Sequence, residues 1–225
     1  MKRNAATGRG ELPIYFGVSI LLIIVGFLTG LLRAASFSAW LTPVLQKLKQ
    51  TILATDHTGW IHLFWSIFIH NATSATELAI FGLAFGLFPA YMMWMNGLIS
   101  GFVVARADVA GGGIPPWETI VYGLLPHGIF ELSAIFWAAS LGMANGLAVI
   151  RAIRLRLTMN DPSVAGADKR DRSARYRDAH PLRFALYRTA RSLPIIWGML
   201  VIAAFIESAV TPHIMSWGIP QLHHH

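Results

Sequence analysis

The sequence predicts an all-α, polytopic transmembrane helical bundle of about five spans. Three observations predict this class: 55% of the 225 residues are hydrophobic, only 13% are charged, and the apolar residues lie in long blocks. A water-soluble globular domain carries about 25% charged residues, so this chain lacks the polar residues that a water-facing surface requires. A soluble domain is therefore excluded.

The length predicts a single transmembrane domain, residues 1–212, with room for five or six spans of about 20 residues each. There is no cysteine, which excludes disulfides, thiolate nucleophiles and cysteine-based metal sites. The formal charge of +7 is interpreted as basic membrane-protein loops, and no nucleic-acid partner is expected. Residues 221–225 end in three histidines and are interpreted as a purification-tag remnant.

Residues 12–32 form the first predicted span, because basic residues precede a stretch without charge. Its apolar core is too long for a signal peptide, and Arg33 stands where small cleavage-site residues would be expected. Residues 37–54 follow as an amphipathic helix that lies at the interface or over the bundle. Its apolar positions recur at helical spacing: Leu41, Leu45, Leu48 and Ile52.

The next two spans, residues 60–81 and 88–105, come from one apolar block in which only Glu77 is charged. A single helix of that length would measure about 70 Å, more than twice the ~30 Å hydrocarbon core. Gly82, Gly86 and Pro89 mark the turn between the two spans. Because the turn carries no charge, we expect it to be partly buried in protein.

Residues 117–150 are long for one span, and Pro126 divides them. Since proline removes a backbone donor and clashes with the preceding turn, the fourth span is either a kinked helix or a short segment followed by a full span. Residues 192–212 form the fifth span. The basic segment 151–191 between them is predicted to be a cytoplasmic loop with helical pieces.

The lysines and arginines predict the orientation. Residues 1–11 and 151–191 hold fourteen of them, whereas residues 33–59 and 106–117 hold four. Five spans place these two groups on opposite sides, so the positive-inside rule predicts a cytoplasmic N-terminus and an external C-terminus. Trp60, Trp117 and Trp217 would then lie at the outer interface, as an aromatic belt prefers.

Ionisable and amide side chains inside the spans are the candidate functional residues, because such groups are costly in lipid and usually face the bundle interior. His127 and Glu131 are four residues apart directly after Pro126. If the helix restarts at Pro126, the free amides of its first turn would point toward His127. We predict a buried polar cluster that contains these members: Asn71, Asn96, His127, Glu131 and Glu207.

A secondary polar stripe lies on the second span, where His70, Ser74 and Glu77 occur with Thr73 at helical spacing. Each polar residue also has a structural interpretation. Glu77 lies near the cytoplasmic end of its span and could reach water, and the asparagines are typical interhelical hydrogen-bonding groups worth about 1 kcal/mol each.

Three pairs of glycines four residues apart, at 82/86, 97/101 and 142/146, are typical small-residue packing seams. One small chain does not obviously need all three within a single bundle. Together they therefore predict self-association, most simply as a homodimer.

The same residues carry a family resemblance. His70-Asn71, the Gly82/Gly86 turn, Asn96-Gly97, the stretch Pro126 to Leu132 and the segment Ala203 to Glu207 together resemble the stage II sporulation protein M family. The resemblance covers residues 12 to 212 and implies a multi-pass protein of the cytoplasmic membrane of a prokaryote. In endospore formers it implies a role in engulfment beside membrane-anchored peptidoglycan-degrading partners, and it brings no catalytic residues.

Three functions remain open. The first is a non-enzymatic scaffold that binds other membrane-anchored proteins, in which the cluster holds the bundle together. The second is a transporter, channel or lipid-handling protein whose pathway the cluster lines. The third is an intramembrane metal-dependent hydrolase that uses His127 and Glu131, although the spacing of a second histidine or a serine elbow is missing. The sequence thus favours a non-enzyme without a cofactor and leaves a metal undecided.

Overall fold

A computed structural model describes residues 11–55, 59–106, 116–158 and 180–218, and within these ranges the chain is helical throughout apart from short turns. Eight α-helices and two π-helical segments follow one another in chain order. The α-helices are α1 (Glu11–Leu32), α2 (Ala34–Thr55), α3 (Trp60–Phe81), α4 (Leu87–Ala105), α5 (Pro116–Glu118), α6 (Leu125–Thr158), α7 (Pro181–Phe205) and α8 (Thr211–Gly218). The first π segment is Thr119–Leu124 and the second is Ile206–Val210.

Four stretches of the described chain are long and apolar enough to cross a membrane: Glu11–Leu32, Leu87–Ala105, Leu125–Arg154 and Pro181–Ile214. This confirms the predicted class, a helical membrane bundle. Helix α3 also has 22 residues, enough for the ~30 Å core, but its polar side chains lower its mean hydropathy. Its place as a fifth span stays a prediction.

Contacts between side chains show the relative direction of each helix. Helix α6 runs antiparallel to α7, because His127 lies near Glu207 at one end while Asn145 bonds Thr189 toward the other. Helix α3 is likewise antiparallel to α7, because Trp60 contacts Phe205 and Thr76 contacts Trp197. Helix α1 is antiparallel to α6, because Phe16 contacts Phe136 and Glu11 contacts Arg151. Helix α4 runs parallel to α1, because Gly26 lies against Trp94 and Gly30 lies against Leu98. Helices α1, α4 and α7 therefore run in one direction and α3 and α6 in the other, which supports five alternating spans.

Helices α1 and α4 are parallel and lie in backbone contact. A Cβ atom added to Gly26 or Gly30 would overlap the backbone of α4, and one added to Gly97 or Gly101 would overlap the backbone of α1. Small residues let helix backbones approach this closely in membranes. The sequence analysis identified Gly97 and Gly101 of α4 as a packing seam, but it did not identify Gly26 and Gly30 of α1 as their partners.

The turn between α3 and α4 packs against α6. A Cβ at Gly82 would overlap Gly142, and one at Gly146 would overlap the backbone of Gly86. Gly86 also has φ 74°, a left-handed conformation that favours glycine. The turn is therefore partly buried, as its lack of charge suggested, although Phe85 at its tip is exposed.

All three predicted glycine seams are thus occupied within one chain. Gly97/Gly101 meet α1, and Gly82/Gly86 meet Gly142/Gly146. The observation that motivated the homodimer prediction no longer argues for it, since the bundle itself uses every seam.

The core between these helices is made largely of alanines. Ala75 and Ala79 of α3 meet Ala134 and Ala138 of α6, and Leu200 of α7 closes the layer; none of the five retains any exposure. Helix α2 covers α4 from outside through Leu41, which packs on Leu98 and Phe102. The side chains of Leu45, Leu48 and Ile52 lie outside the described residues.

The fourth span is one continuous helical run, and its irregularity takes the form of a π turn. The Leu125 amide bonds the Ile120 carbonyl five residues back, and Pro126 follows directly within α6. A wider turn tolerates the missing amide and the bulk of the proline ring. The helix does not restart at Pro126, so the expectation of free amides pointing at His127 is wrong.

Helical pieces lie at both ends of the basic segment 151–191. Helix α6 continues to Thr158 and α7 begins at Pro181, because the helical hydrogen-bonding pattern extends past the apolar stretch into the basic one. Arg151 even joins the bundle through an ion pair with Glu11. The centre of the predicted loop, residues 159–179, lies outside the described residues, and so do residues 221–225, which were predicted to be a tag remnant.

Candidate functional site

Three ionisable side chains converge between α6 and the second π segment. The Nε2 atom of His127 lies 3.8 Å from a carboxylate oxygen of Glu131 and 3.9 Å from one of Glu207. One ligand atom from each of the three residues lies within 4.8 Å of the others. Asn71, on α3, lies beside the carboxylate of Glu131. We name these four residues the polar cluster.

Helix geometry explains why these groups meet. His127 and Glu131 are four residues apart and therefore share one face of α6. Glu207 reaches them from the second π segment, in which the Thr211 amide bonds the Ile206 carbonyl five residues back. A π turn adds a residue to the helical turn and so changes the direction of the side chains that follow. Such turns occur frequently at functional sites, and here one precedes His127 and another contains Glu207.

The polar cluster lies toward one end of the bundle. Glu131 and Arg151 are some twenty residues apart on α6, which is about 30 Å at 1.5 Å per residue, the thickness of a hydrocarbon core. Arg151 forms its ion pair with Glu11 at the first residue of α1, so that end of the bundle is charged. The cluster therefore belongs to the opposite end, where Trp60 and Trp217 also lie, and not to the middle of the span.

The cluster is shielded to different degrees. The His127 side chain keeps 10% of its surface exposed, Glu131 keeps 22% and Glu207 keeps 33%, so Glu207 is the most open. A groove of about 430 Å³ begins at its neighbour Ser208 and continues past Trp60 to His213. The groove therefore lies next to Glu207 along the chain, and none of its described lining residues belongs to the cluster.

The other predicted residues differ in burial. Asn96 is half-buried on α4, and its place in the cluster stays a prediction. On α3, Ser74 is half-buried, whereas His70, Thr73 and Glu77 are exposed. The last three residues form an outward face that we name the α3 stripe. A second groove, of about 360 Å³, runs along this face between Thr73, Glu77 and Trp197 of α7.

Asn145 is the polar residue that the sequence analysis missed. It has no exposed surface, and its amide donates to the carbonyl of Ala79 at 3.0 Å and to the hydroxyl of Thr189 at 2.9 Å. It thereby joins α3, α6 and α7. The signal was a lone asparagine in an otherwise apolar stretch, which is typical of interhelical bonding in membranes.

The fold and these contacts define a class: an integral membrane protein built as a helical bundle with ionisable groups inside it. A family model described as stage II sporulation protein M matches residues 19–212. The chain belongs to that family, which confirms the resemblance. No curated protein and no solved structure matches the chain.

Proposed function

We propose that this protein is a membrane scaffold that binds a transmembrane segment of another membrane-anchored protein, and that the α3 stripe is its binding face. The observation that carries this proposal is the exposure of His70, Thr73 and Glu77 on a helix that packs inside a membrane bundle. Family membership supports the coarser statement that the chain is a membrane protein.

The depth of Glu77 supports a partner. A Cβ at Gly142 would overlap the carbonyl of Leu78, so Glu77 lies level with the residue before Gly142 on α6. That level is about 15 Å from Glu131 and within about 8 Å of Gly146, where Gly86 precedes the α4 span. A carboxylate that faces lipid inside a span is unfavourable, and a covering helix would reduce that cost.

The arrangement favours a different protein over a second copy of this chain. A membrane dimer with its two-fold axis along the membrane normal places each residue opposite itself at the same depth. Such a dimer would set Glu77 against Glu77, and like charges repel strongly where the dielectric constant is low. A partner helix with a basic or amide side chain at that depth complements the stripe.

The transport alternative receives less support. A pathway needs a polar cavity through the bundle, whereas the described core between α3, α6 and α7 is formed mostly by buried apolar side chains. The amide of Asn145, which is buried there, is hydrogen-bonded to Ala79 and Thr189. Both described grooves are lined by exposed residues such as Glu77 and His213.

Photo-crosslinking in native membranes tests the scaffold. A photoreactive amino acid replaces Thr73, and in a control it replaces Leu21, which is 59% exposed on α1. We expect a discrete adduct at position 73 that joins the transmembrane segment of another membrane-anchored protein, and none at position 21. Glu77→Leu should lower the adduct yield several-fold while thermal stability stays unchanged or rises, because a lipid-facing charge is removed.

Three outcomes would overturn the proposal. An adduct between two copies of this chain would establish the homodimer in its place. An adduct of equal yield at position 21 would indicate random collision, and the absence of any adduct at position 73 would remove the binding face.

A further inference from the structure

We propose that His127, Glu131 and Glu207 bind one divalent metal ion such as Zn²⁺ at the Trp60 end of the bundle. The proposal begins with the imidazole of His127. Its side chain is nine-tenths buried, and its Nδ1 atom has no hydrogen-bond partner. Its Nε2 atom faces the two carboxylates at 3.8 and 3.9 Å. These distances are too long for hydrogen bonds, whose donor–acceptor distances reach about 3.2 Å.

The spacing discriminates between the groups that could lie between these atoms. A bridging water sits about 2.8 Å from each partner and so holds them roughly 4.6 Å apart at a tetrahedral angle. A zinc ion sits about 2.1 Å from nitrogen and oxygen ligands and holds them roughly 3.4 Å apart. The observed 3.8 and 3.9 Å from His127 lie nearer the metal spacing. The limit of 4.8 Å that includes the pair of carboxylates means that the two carboxylates move toward each other when the ion binds.

The donor set fits such an ion. One imidazole nitrogen and two carboxylate oxygens, all within 4.8 Å of one another, are three protein ligands. Zinc sites with three protein ligands keep a fourth position for water. The Glu207 side, with 33% of that side chain exposed, is where this position would open toward the groove at Ser208.

Charge and outer contacts support the same conclusion. Two carboxylates that meet in a low-dielectric site repel each other, and a divalent cation between them replaces repulsion with attraction. Asn71 of α3 lies beside Glu131, where residues around metal sites commonly orient a ligating carboxylate. The Nδ1 atom of His127 has no such partner among the described residues. His127 and Glu131 lie on one helix and need only small side-chain rotations to close their 3.8 Å distance, so Glu207 makes the larger adjustment.

Metal content measured on the full-length protein in lipid nanodiscs tests the proposal. The parent protein lacks residues 223–225, since that histidine tract binds metals by itself. After exposure to Zn²⁺ and gel filtration, we expect about one zinc ion per chain. Glu131→Gln and Glu207→Gln, which keep the side-chain shape, should each lower the affinity at least tenfold. Glu77→Gln, a carboxylate on the α3 stripe, should retain the metal.

Two readouts on the parent protein alone protect the test against misfolded variants. Co²⁺ in place of Zn²⁺ should give visible absorption bands of a low-symmetry nitrogen and oxygen site, and Zn²⁺ should raise the thermal midpoint. A parent protein without metal above background would overturn the proposal. So would equal zinc content in the parent, Glu131→Gln and Glu207→Gln. Because no partner protein takes part, this result is independent of the scaffold function.

Discussion

At the scale of single residues, Asn145 shows how one buried amide can join three helices. Ala79 is among the last four residues of α3, whose carbonyls have no partner inside the helix. The Asn145 amide donates to that carbonyl and to Thr189 of α7. No water reaches it, because its side chain has no exposed surface.

Asn145→Ala should therefore destabilise the protein by about 1–2 kcal/mol, the cost of a lost interhelical hydrogen bond plus an unsatisfied carbonyl. Thermal unfolding in detergent measures the change. Asn96→Ala, a half-buried asparagine on α4, is the matched control and should shift the midpoint less. Equal shifts for the two variants would contradict the role assigned to Asn145.

The polar cluster depends on residues that neither spacing nor composition can bring together. His127 and Glu131 share a helix face by their spacing, so their proximity follows from the sequence. Glu207 and Asn71 lie on other helices, and their approach depends on how α3 and α7 pack against α6. The prediction that Asn96 also belongs to the cluster stays without support from these contacts.

At the scale of helices, glycine contacts hold the α3–α4 turn against α6. Gly82 lies directly on the backbone of Gly142. Any side chain at position 82 must push these helices apart, and their alanine core would lose its close packing.

Gly82→Ala should thus lower the free energy of unfolding by roughly 2–3 kcal/mol, the upper range for overpacking. Gly198→Ala serves as the control, because a Cβ there has no neighbour within 4 Å, and its stability should change little. Thermal midpoints and monodispersity in detergent provide the measurement. A Gly82→Ala protein as stable as Gly198→Ala would show that α3 and α6 lie farther apart than described.

The π segments lie at the two places where prolines follow, Pro126 after the first and Pro212 after the second. Proline cannot donate the usual helical bond and crowds the preceding turn. The sequence analysis predicted an irregularity at Pro126 for this reason. It did not predict a wider turn in place of a break, because both relieve the same clash and the choice depends on the neighbouring helices.

At the scale of the whole molecule, the alternating directions of α1, α3, α4, α6 and α7 predict that Glu11 and Gly218 lie on opposite sides of the membrane. Arg170→Cys and Trp217→Cys test this in a chain that has no native cysteine. Trp217 is 84% exposed. In sealed cells, a membrane-impermeant maleimide added outside should label position 217 and leave position 170 unlabelled, as the positive-inside rule predicts.

The control is the same labelling after the cells are opened, which should modify both cysteines. Labelling of position 170 in sealed cells would contradict a cytoplasmic basic segment. If neither position is labelled in sealed cells, the C-terminus lies on the same side as residue 170, which requires an even number of spans between the two positions.

The sequence by itself determined the class of this protein, the extent of most helices, the α3–α4 turn and the family. These properties depend on apolar blocks, helical spacing and glycine or proline positions, all of which are local along the chain. Only the tertiary structure decided that α1 packs in parallel on α4, that Asn145 joins three helices, that the glycine seams are internal, and that Glu207 meets His127 while Glu77 faces outward. Lipid solvates apolar faces almost equally well, so hydropathy does not specify which helix faces meet, whereas backbone fit between small residues and hydrogen bonds between distant ones do.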